Sequence, residues 1–242
     1  MKVKEMIKHN LDTFIQGETV NLKIPNADFV KNSNWYKILN SKKNTKFLDH
    51  GLFPNTLKEQ VNFFESSKKN NRIILIIFDK TDNFIGVISL SSINFEKSSA
   101  DIALILNQDK KIGSVAKNFL SSLEAIALMT EHAFENLGLQ RIAAGQSVEL
   151  DKWQNLMEIT GYKIEGINKN KFVKGLKRKN VMMISCSVND YLYLKNKRGK
   201  LWDSSMLMFK RIKRLPKISA LIKVKNTLNE LDNNYYKKIF NL

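Results

Sequence analysis

The chain of 242 residues is long enough for one sizeable domain with appendages or for two small domains. Its apolar fraction of 43% and charged fraction of 26% are typical of a globular protein with a packed core. No apolar run approaches the roughly 18 residues that a membrane span requires, and the N-terminus lacks the apolar core of a signal peptide. A single cysteine, Cys186, excludes an internal disulfide framework, so we expect a cytoplasmic protein.

The formal net charge of +17 is concentrated toward the C-terminus. From Lys195 onward there are thirteen lysine and arginine residues but only three acidic residues. A basic segment of this kind attracts nucleic acid, anionic lipid headgroups or phosphorylated substrates, although a composition rich in Lys and Asn can also place such charges on solvated faces. Aromatic residues do not interleave with a basic strand face, which disfavours nucleic acid as a partner.

The first half of the chain predicts helices that alternate with short strands. In chain order, the patterns predict a helix over 1–16, a strand over 20–25, a helix over 27–39, a helix over 57–67, and strands over 72–78, 84–92 and 99–106. Thr56 precedes the third helix and Glu59 follows three residues later, which is the spacing of a capping box. No internal repeat is apparent.

The second half is dominated by one long helix, which we expect to begin near residue 118. Apolar residues occupy so much of its circumference that it must be buried on more than one flank. Gly138 ends it, and a strand over 141–147 and a helix over 150–159 follow. Gly161 is placed as a C-terminal glycine of that last helix. Two closing strands are predicted over 162–168 and 180–188.

Three segments in this order resemble the GCN5-related N-acetyltransferase (GNAT) family. They are "NFIGVISL" at 83–90, "EAIALMTEHAFENLGLQRIAAG" at 124–145 and "LMEITGYKIEG" at 156–166. The resemblance implies an α/β fold with a mixed, mostly antiparallel central sheet flanked by helices in three layers. We expect an N-terminal helix over 1–17, the GNAT-like acetyltransferase domain over 18–190 and a basic helical extension over 191–242.

The resemblance also implies that acetyl-coenzyme A is the co-substrate. In the family it lies in a V-shaped gap between the strands that flank the long helix, with its pyrophosphate on the glycine-rich helix start, where free N–H groups favour anions. In this chain Leu120 and Ser122 replace the two family glycines, and Lys110, Lys111 and Gly113 in the preceding loop could take over phosphate contacts. The predicted cofactor-binding residues are Leu104, Ile105 and Leu106 on the strand and Lys117, Asn118, Phe119, Leu120, Ser121 and Ser122 at the helix.

Acetyl transfer to an amine requires a group that removes the amine proton. The predicted catalytic residues are Asp101, Gln146, Glu149 and His50. Asp101 stands on the central strand where relatives often carry a carboxylate, although it could equally be a strand residue facing water. His50 lies in the loop that usually covers the acceptor, and such a lone histidine is more often structural or exposed. The tyrosine that serves many relatives as an acid is replaced by Met157.

The remaining histidines and the cysteine indicate no further site. His132 lies inside the long helix and is read as packing or surface, and Cys186 has no histidine neighbour in sequence that would activate it. These residues are widely spaced and match no metal-binding pattern.

The C-terminal extension contains a basic, amphipathic stretch over 206–231 that we expect to be helical, with an interruption at Pro216. Its mixture of apolar residues with lysine and arginine suits a helix lying on an anionic membrane surface. The same composition suits an arm of a homodimer or a helix packed on the catalytic body. The sequence leaves the three alternatives open.

The expected activity is transfer of an acetyl group to a primary amine. The layout of 48–66 and 72–90 resembles acetyltransferases of surface-glycan and flagellin sugar pathways, which implies a nucleotide-linked amino sugar as acceptor and a possible location at the inner membrane face. Acetylation of a protein N-terminus, as in the ribosomal-protein branch of the family, fits almost as well. A non-catalytic GNAT-fold binding module is the remaining alternative. It is motivated by Leu120 and Met157 and by Leu150, which replaces an asparagine often found in the family.

Overall fold

The computed structural model describes residues 10–48, 51–67, 69–107, 115–215, 218–219 and 222–225, with side chains omitted at 115–118. The strands are β1 (Thr13–Gln16), β2 (Val20–Lys23), β3 (Ile73–Asp79), β4 (Phe84–Asn94), β5 (Ser99–Leu106), β6 (Arg141–Ser147), β7 (Lys163–Lys174) and β8 (Lys177–Ser187). The helices are α1 (Ala27–Asn32), α2 (Trp35–Asn40), α3 (Leu57–Ser67), α4 (Val115–Glu135), α5 (Asp151–Ile159), α6 (Val188–Arg198) and α7 (Ser205–Arg214).

The strands form one eight-stranded sheet in the order β1-β2-β3-β4-β5-β6-β8-β7. Every neighbouring pair is antiparallel except β5 and β6, which run parallel because the long helix α4 connects them. Helices α1 to α3 cover one face, and α4 and α5 cover the other. The prediction of a mostly antiparallel three-layer α/β fold is confirmed.

Strand β3 illustrates why the sheet is buried on both faces. Its alternate residues Ile74, Ile76 and Phe78 pack with the aromatic side chains of α1 to α3, whereas Leu75 and Ile77 belong to the core beneath α4. A strand covered on both sides reads as a continuous apolar run, as "IILIIF" does.

Two predicted elements differ from the structure. Residues 13–16 form strand β1 instead of a helix, because Thr13 and Ile15 pair with β2 at the edge of the sheet, and this tertiary pairing outweighs the helical spacing of apolar residues. Residues 1–9 of the predicted helix lie outside the described residues. The predicted helix over 27–39 is two short helices, which are interrupted at Ser33, whose backbone is extended.

Helix α4 is attached to the turn between β1 and β2 through the buried carboxylate of Glu124. This carboxylate accepts hydrogen bonds from the backbone N–H groups of Glu18, Thr19 (2.6 Å) and Val20 (3.2 Å), and from the Thr19 hydroxyl. A Cβ atom at Gly17 would lie only 2.5 Å from the same carboxylate, so the turn requires glycine there. The interaction positions α4 relative to the sheet.

The C-terminal helices pack on the body of the protein. Tyr191 of α6 stacks on Phe134 with ring centroids 5.0 Å apart, Trp202 donates a 2.8 Å hydrogen bond to Glu18, and Met208 of α7 is fully buried. Helix α7 therefore packs on the body, whereas contact of its outer face with a membrane or a second copy remains a prediction. Helix α6 also crosses the predicted domain boundary at 190, and that division of the chain remains a prediction. None of the described helices is both long and apolar enough to cross a bilayer.

Candidate active site

A V-shaped gap opens between the parallel strands β5 and β6. The strands pair at only three positions, of which Asp101 with Ala143 is the last. Beyond that point residues 102–106 of β5 pair only with β4, and residues 144–147 of β6 pair only with β8. The expected divergence of the two strands is confirmed, and the edges that face the gap carry backbone groups with no partner strand among the described residues.

The gap fits an extended ligand that contains amide groups. Unpaired backbone N–H and C=O groups can bond such a chain as they would bond another strand. Ala103 and Gly145 are small and exposed, so large side chains do not fill the opening here. The predicted cofactor residues Leu104, Ile105 and Leu106 lie along this stretch of β5, and their roles remain predictions.

The start of α4 differs from the predicted phosphate cradle. The helix already includes Val115, so the N–H groups of Ser121 and Ser122 lie beyond its first turn, where helix bonding satisfies them. Both serine side chains are buried, Leu120 packs against the core, and Phe119 is 41% exposed. Ser121 and Ser122 therefore support the helix from within the core. The side chains of Lys117 and Asn118, and the loop 108–114, lie outside the described residues.

A cavity of about 570 Å³ lies on the opposite face of the sheet from α4. Its lining residues come from α2, α3, the loop 51–55 and strands β3 to β5, and are Trp35, Leu39, Leu48, Gly51, Leu52, Phe53, Pro54, Asn55, Glu59, Gln60, Phe63, Arg72, Ile74, Val87, Ser89, Ala103, Leu104 and Ile105. The last three belong to the part of β5 that has separated from β6. The cavity and the gap therefore meet along the same stretch of strand.

The polar groups of the cavity are held in fixed orientations. The amide of Asn55 donates a 2.9 Å hydrogen bond to the Gln60 side-chain oxygen, and Asn55 is itself held through its backbone by Asn40. The side-chain N–H₂ group of Gln60 has no hydrogen-bond partner among the described residues. Arg72 lies over the ring of Phe63, with 5.4 Å between the guanidinium carbon and the ring centroid.

Glu59 contributes the carboxylate of the cavity lining and also caps α3. It accepts a 2.6 Å hydrogen bond from the backbone N–H of Thr56, and this bond lowers the pKa of the Glu59 carboxyl. The Thr56 hydroxyl accepts in return from the Glu59 N–H, so the predicted capping box is confirmed. Because Glu59 stays ionised, it gives the cavity one fixed negative charge.

Comparison with known proteins identifies the family. The family model described as an acetyltransferase (GNAT) domain matches residues 32–163, which is more than half of the chain. The chain belongs to the GNAT acetyltransferase family. As a member of this family it is an acetyltransferase that uses acetyl-coenzyme A. Family membership therefore favours an enzyme over the non-catalytic binding module.

Solved structures support the same fold for this GNAT enzyme. Spermidine N-acetyltransferase from Vibrio cholerae, solved with CoA and spermine, is 18% identical with a TM-score of 0.62, over 72% of this chain and 98% of that one. A dodecameric structure of the Vibrio cholerae enzyme in an intermediate state is 20% identical with a TM-score of 0.58, over 72% and 96% of the two chains. No curated protein matches the chain.

Among the predicted catalytic residues of this GNAT enzyme, Asp101 lies where β5 and β6 separate, and its catalytic role remains a prediction. It is exposed on β5 at the last pair with β6, which is the apex of the gap, and it shares a strand face with Ala103 and Ile105 of the cavity. Arg141 lies near it and forms a bidentate ion pair with Glu165. The hydrogen bonds from Arg141 to Glu165 raise the pKa of the guanidinium, and the Asp101 charge adds to this effect.

Of the other predicted catalytic residues, Gln146 and Glu149 are absent from the cavity lining. Gln146 is buried and donates a 2.9 Å hydrogen bond to Gln154 of α5, so it faces the opposite side of the sheet. Glu149 forms an ion pair with Lys179, and this hydrogen bond lowers the pKa of the Glu149 carboxyl, which makes it a weaker base. His50 lies outside the described residues. Its neighbours Gly51 and Leu52 line the cavity.

Neither Met157 nor Cys186 can act on a substrate. Met157 is buried in the main core, where its thioether has no proton to give. Burial raises the pKa of the Cys186 thiol to about 12, so the thiol stays protonated and unreactive at neutral pH. Among the described residues, Asp101 is thus the ionisable group best placed at the apex of the gap.

Binding of the co-substrate is expected to slow hydrogen exchange in β5. With saturating acetyl-coenzyme A, amides in peptides covering 102–106 should exchange about tenfold more slowly, because a ligand in the gap protects groups that no strand protects. Peptides covering 73–79 of β3, which is paired on both sides, serve as the internal control. Equal protection of the two regions, measured by mass spectrometry, would contradict binding in the gap.

Proposed function

We propose that this GNAT enzyme acetylates the primary amine of an amino sugar carried on a nucleotide, as in surface-glycan biosynthesis. The observation that carries the proposal is the shared wall of cavity and gap at residues 103–105 of β5. An amine held in the cavity would meet, at that wall, a thioester held in the gap. Alignment of the two reactants supplies a large part of the acceleration in such transfers.

The chemistry of the cavity favours a sugar. The exposed rings of Phe53 and Phe63 offer flat apolar surface for the C–H face of a pyranose, and Arg72 offers hydrogen-bond donors for its oxygens. Ligand pockets commonly combine apolar walls with a few placed polar groups in this way.

The charges of the cavity and of the whole chain favour an acceptor linked to an anionic nucleotide over a polyamine acceptor. Glu59 is the single carboxylate among the described lining residues, whereas a polyamine needs several anions along its length. The net charge of +17 repels polycations and attracts a nucleotide diphosphate. We therefore do not propose spermidine, the acceptor named for the Vibrio cholerae enzyme, as the acceptor of this chain.

The proposed mechanism divides the work between backbone and side chains. Acetyl-coenzyme A supplies an activated acetyl group as its thioester. Backbone N–H groups of 102–106 that face the gap would hold the acyl oxygen and the pantetheine arm, as fixed donors do at other acyl-transfer sites. Asp101 would accept the proton of the attacking amine, directly or through one water molecule, while the new C–N bond replaces the C–S bond and the released thiolate would take a proton from water.

We also propose that the C-terminal extension contacts an anionic membrane surface. The outward face of α7 carries the exposed apolar residues Met206 and Phe209 among the exposed cations Lys210 and Lys213. Such a mixture suits the interface between headgroups and acyl chains. A peripheral position at the inner membrane face, close to glycan assembly, would follow.

The acceptor is tested with a thiol-release assay on three classes of amine: UDP- and dTDP-linked amino sugars, peptides with free N-termini, and spermidine. We expect the highest kcat/KM for a nucleotide-linked amino sugar. A higher kcat/KM for peptides would instead support the protein N-terminal acetyltransferase alternative, and a higher value for spermidine would contradict the charge argument.

Phe63→Ala is expected to raise the KM for the preferred acceptor about tenfold, since an aromatic contact contributes about 1–1.5 kcal/mol. The KM for acetyl-coenzyme A should stay unchanged, because Phe63 lies on the acceptor side of the sheet. Phe95→Ala, which removes an exposed ring that is absent from the cavity lining, is the matched control. Equal acceptor KM values in the two variants would count against the cavity as the acceptor site.

A further inference from the structure

Three arginines surround a depression where α5, α6 and α7 end. The depression has a volume of about 290 Å³ and is lined by Glu158, Ile159, Arg198, Arg211, Arg214 and Leu215. It lies at the Ile159 end of α5, whereas residues 148–150 join the Asp151 end of the helix to β6, which is one of the two strands of the gap. The length of the helix, about 12 Å at 1.5 Å per residue, separates the two places.

Two of the lining residues already have partners of opposite charge. Arg211 forms a bidentate ion pair with Asp203, in which one N–O distance is 2.7 Å. Glu158 is paired at 2.6 Å with Lys223. Each pair is neutral by itself, although the Asp203 charge also attracts the nearby Arg198 guanidinium.

The remaining two guanidinium groups have no carboxylate partner within hydrogen-bond distance. Arg198 donates a 2.6 Å hydrogen bond to the backbone oxygen of Ile159. Arg214 makes no hydrogen bond or ion pair with any described residue. The depression therefore carries about two uncompensated positive charges.

Helix capping explains only part of this arrangement. The C-terminus of α5 carries a partial negative charge, and Arg198 satisfies its exposed carbonyl group. Burial lowers the pKa of the Arg198 guanidinium and the nearby charge of Arg211 lowers it further, while the Asp203 charge opposes both effects; the net lowering shows that the cations are held together at an electrostatic cost. Capping one carbonyl does not require a second guanidinium at the same depression. A bound anion would offset the cost.

We propose that Arg198, Arg211 and Arg214 form a binding site for a phosphate-class oxyanion, separate from the acetyl-coenzyme A gap. Planar guanidinium groups bind phosphate oxygens in pairs, and the charge of a phosphate monoester matches the two uncompensated arginines. The phosphate can belong to an anionic lipid headgroup or to a free phosphorylated compound. The site does not depend on the identity of the amine acceptor.

The test is calorimetric titration of the full chain with inorganic phosphate in the presence of saturating CoA, which occupies the phosphate-binding part of the gap. Arg214→Gln should weaken phosphate binding about tenfold or more, since a hydrogen bond to a charged group contributes about 1.5–3 kcal/mol. Lys197→Gln removes the same charge from an exposed position of α6 outside the depression and should change binding less than about twofold.

A second arm distinguishes the sources of the phosphate. Co-sedimentation is measured with vesicles of phosphatidylcholine containing phosphatidylglycerol, using the same two variants. Selective loss of vesicle binding in Arg214→Gln supports a lipid headgroup, and selective loss of phosphate binding alone supports a free phosphorylated compound. Equal losses in Arg214→Gln and Lys197→Gln, or no binding of either probe, would overturn the proposal.

Discussion

Replacement of Asp101 by asparagine is expected to lower kcat by about 10²- to 10⁴-fold, the range for loss of a general base. The KM for acetyl-coenzyme A should change little, because the backbone of β5 and not the Asp101 side chain is proposed to hold the cofactor. Steady-state thiol release with the preferred acceptor measures both constants. The physical reason is the position of Asp101 at the apex of the gap, on the strand face that continues into the cavity.

Two further variants separate a base from a merely structural residue. Asp101→Glu keeps the carboxylate and should recover part of kcat, which a packing role would not predict for a longer side chain. Asp82→Asn removes an exposed carboxylate from the turn between β3 and β4, where it pairs with Lys23, and should leave kcat unchanged. A kcat for Asp101→Asn within about threefold of wild type would assign proton removal to another group or to water.

Replacement of Glu124 by alanine is expected to destabilise the fold by about 3–5 kcal/mol, the magnitude for breaking a buried, multiply bonded charged group. The change leaves the N–H groups of Glu18, Thr19 and Val20 without their shared acceptor beneath α4. Urea unfolding monitored by circular dichroism measures the loss as a shift of the midpoint. The expected loss is a large fraction of the total free energy of unfolding, which is about 5–15 kcal/mol for a typical domain.

The control for Glu124 is Glu96→Ala, which removes an exposed carboxylate from the turn after β4 and should change stability by less than about 0.5 kcal/mol. Glu124→Gln keeps one carbonyl acceptor and should fall between the two. If Glu124→Ala and Glu96→Ala unfold at the same urea concentration, the turn between β1 and β2 is held by packing and not by this carboxylate.

The gap was predictable because it follows from the order of elements. A strand, a long helix and a further strand must form a parallel pair, and the resemblance of 124–145 to the GNAT family implied that the pair diverges. The position of the divergence, after Asp101 and Ala143, depends on which backbone groups pair across the sheet. That register depends on long-range contacts that local patterns do not encode.

The acceptor cavity was not predictable in the same way. Its residues lie between positions 35 and 105 and meet only when α2, α3 and the loop 51–55 fold over β3 to β5. Trp35 is buried in the core beneath α1 to α3, yet it also lines the cavity. Gln60 and Phe63 stand three residues apart on α3, and this spacing was the one local signal for a shared face.

Taken alone, the sequence determined the alternation of helices and strands, the single unreactive cysteine and the basic C-terminus, because these depend on composition and on local periodicity. Only the tertiary structure decided that residues 13–16 join the sheet, that Gln146 faces away from the cavity and that Arg198 and Arg214 line one depression in which neither bonds a carboxylate. Each of these features depends on which side chains from distant parts of the sequence share a surface. The free energies of strand pairing and of burial between those distant segments determine which of them do.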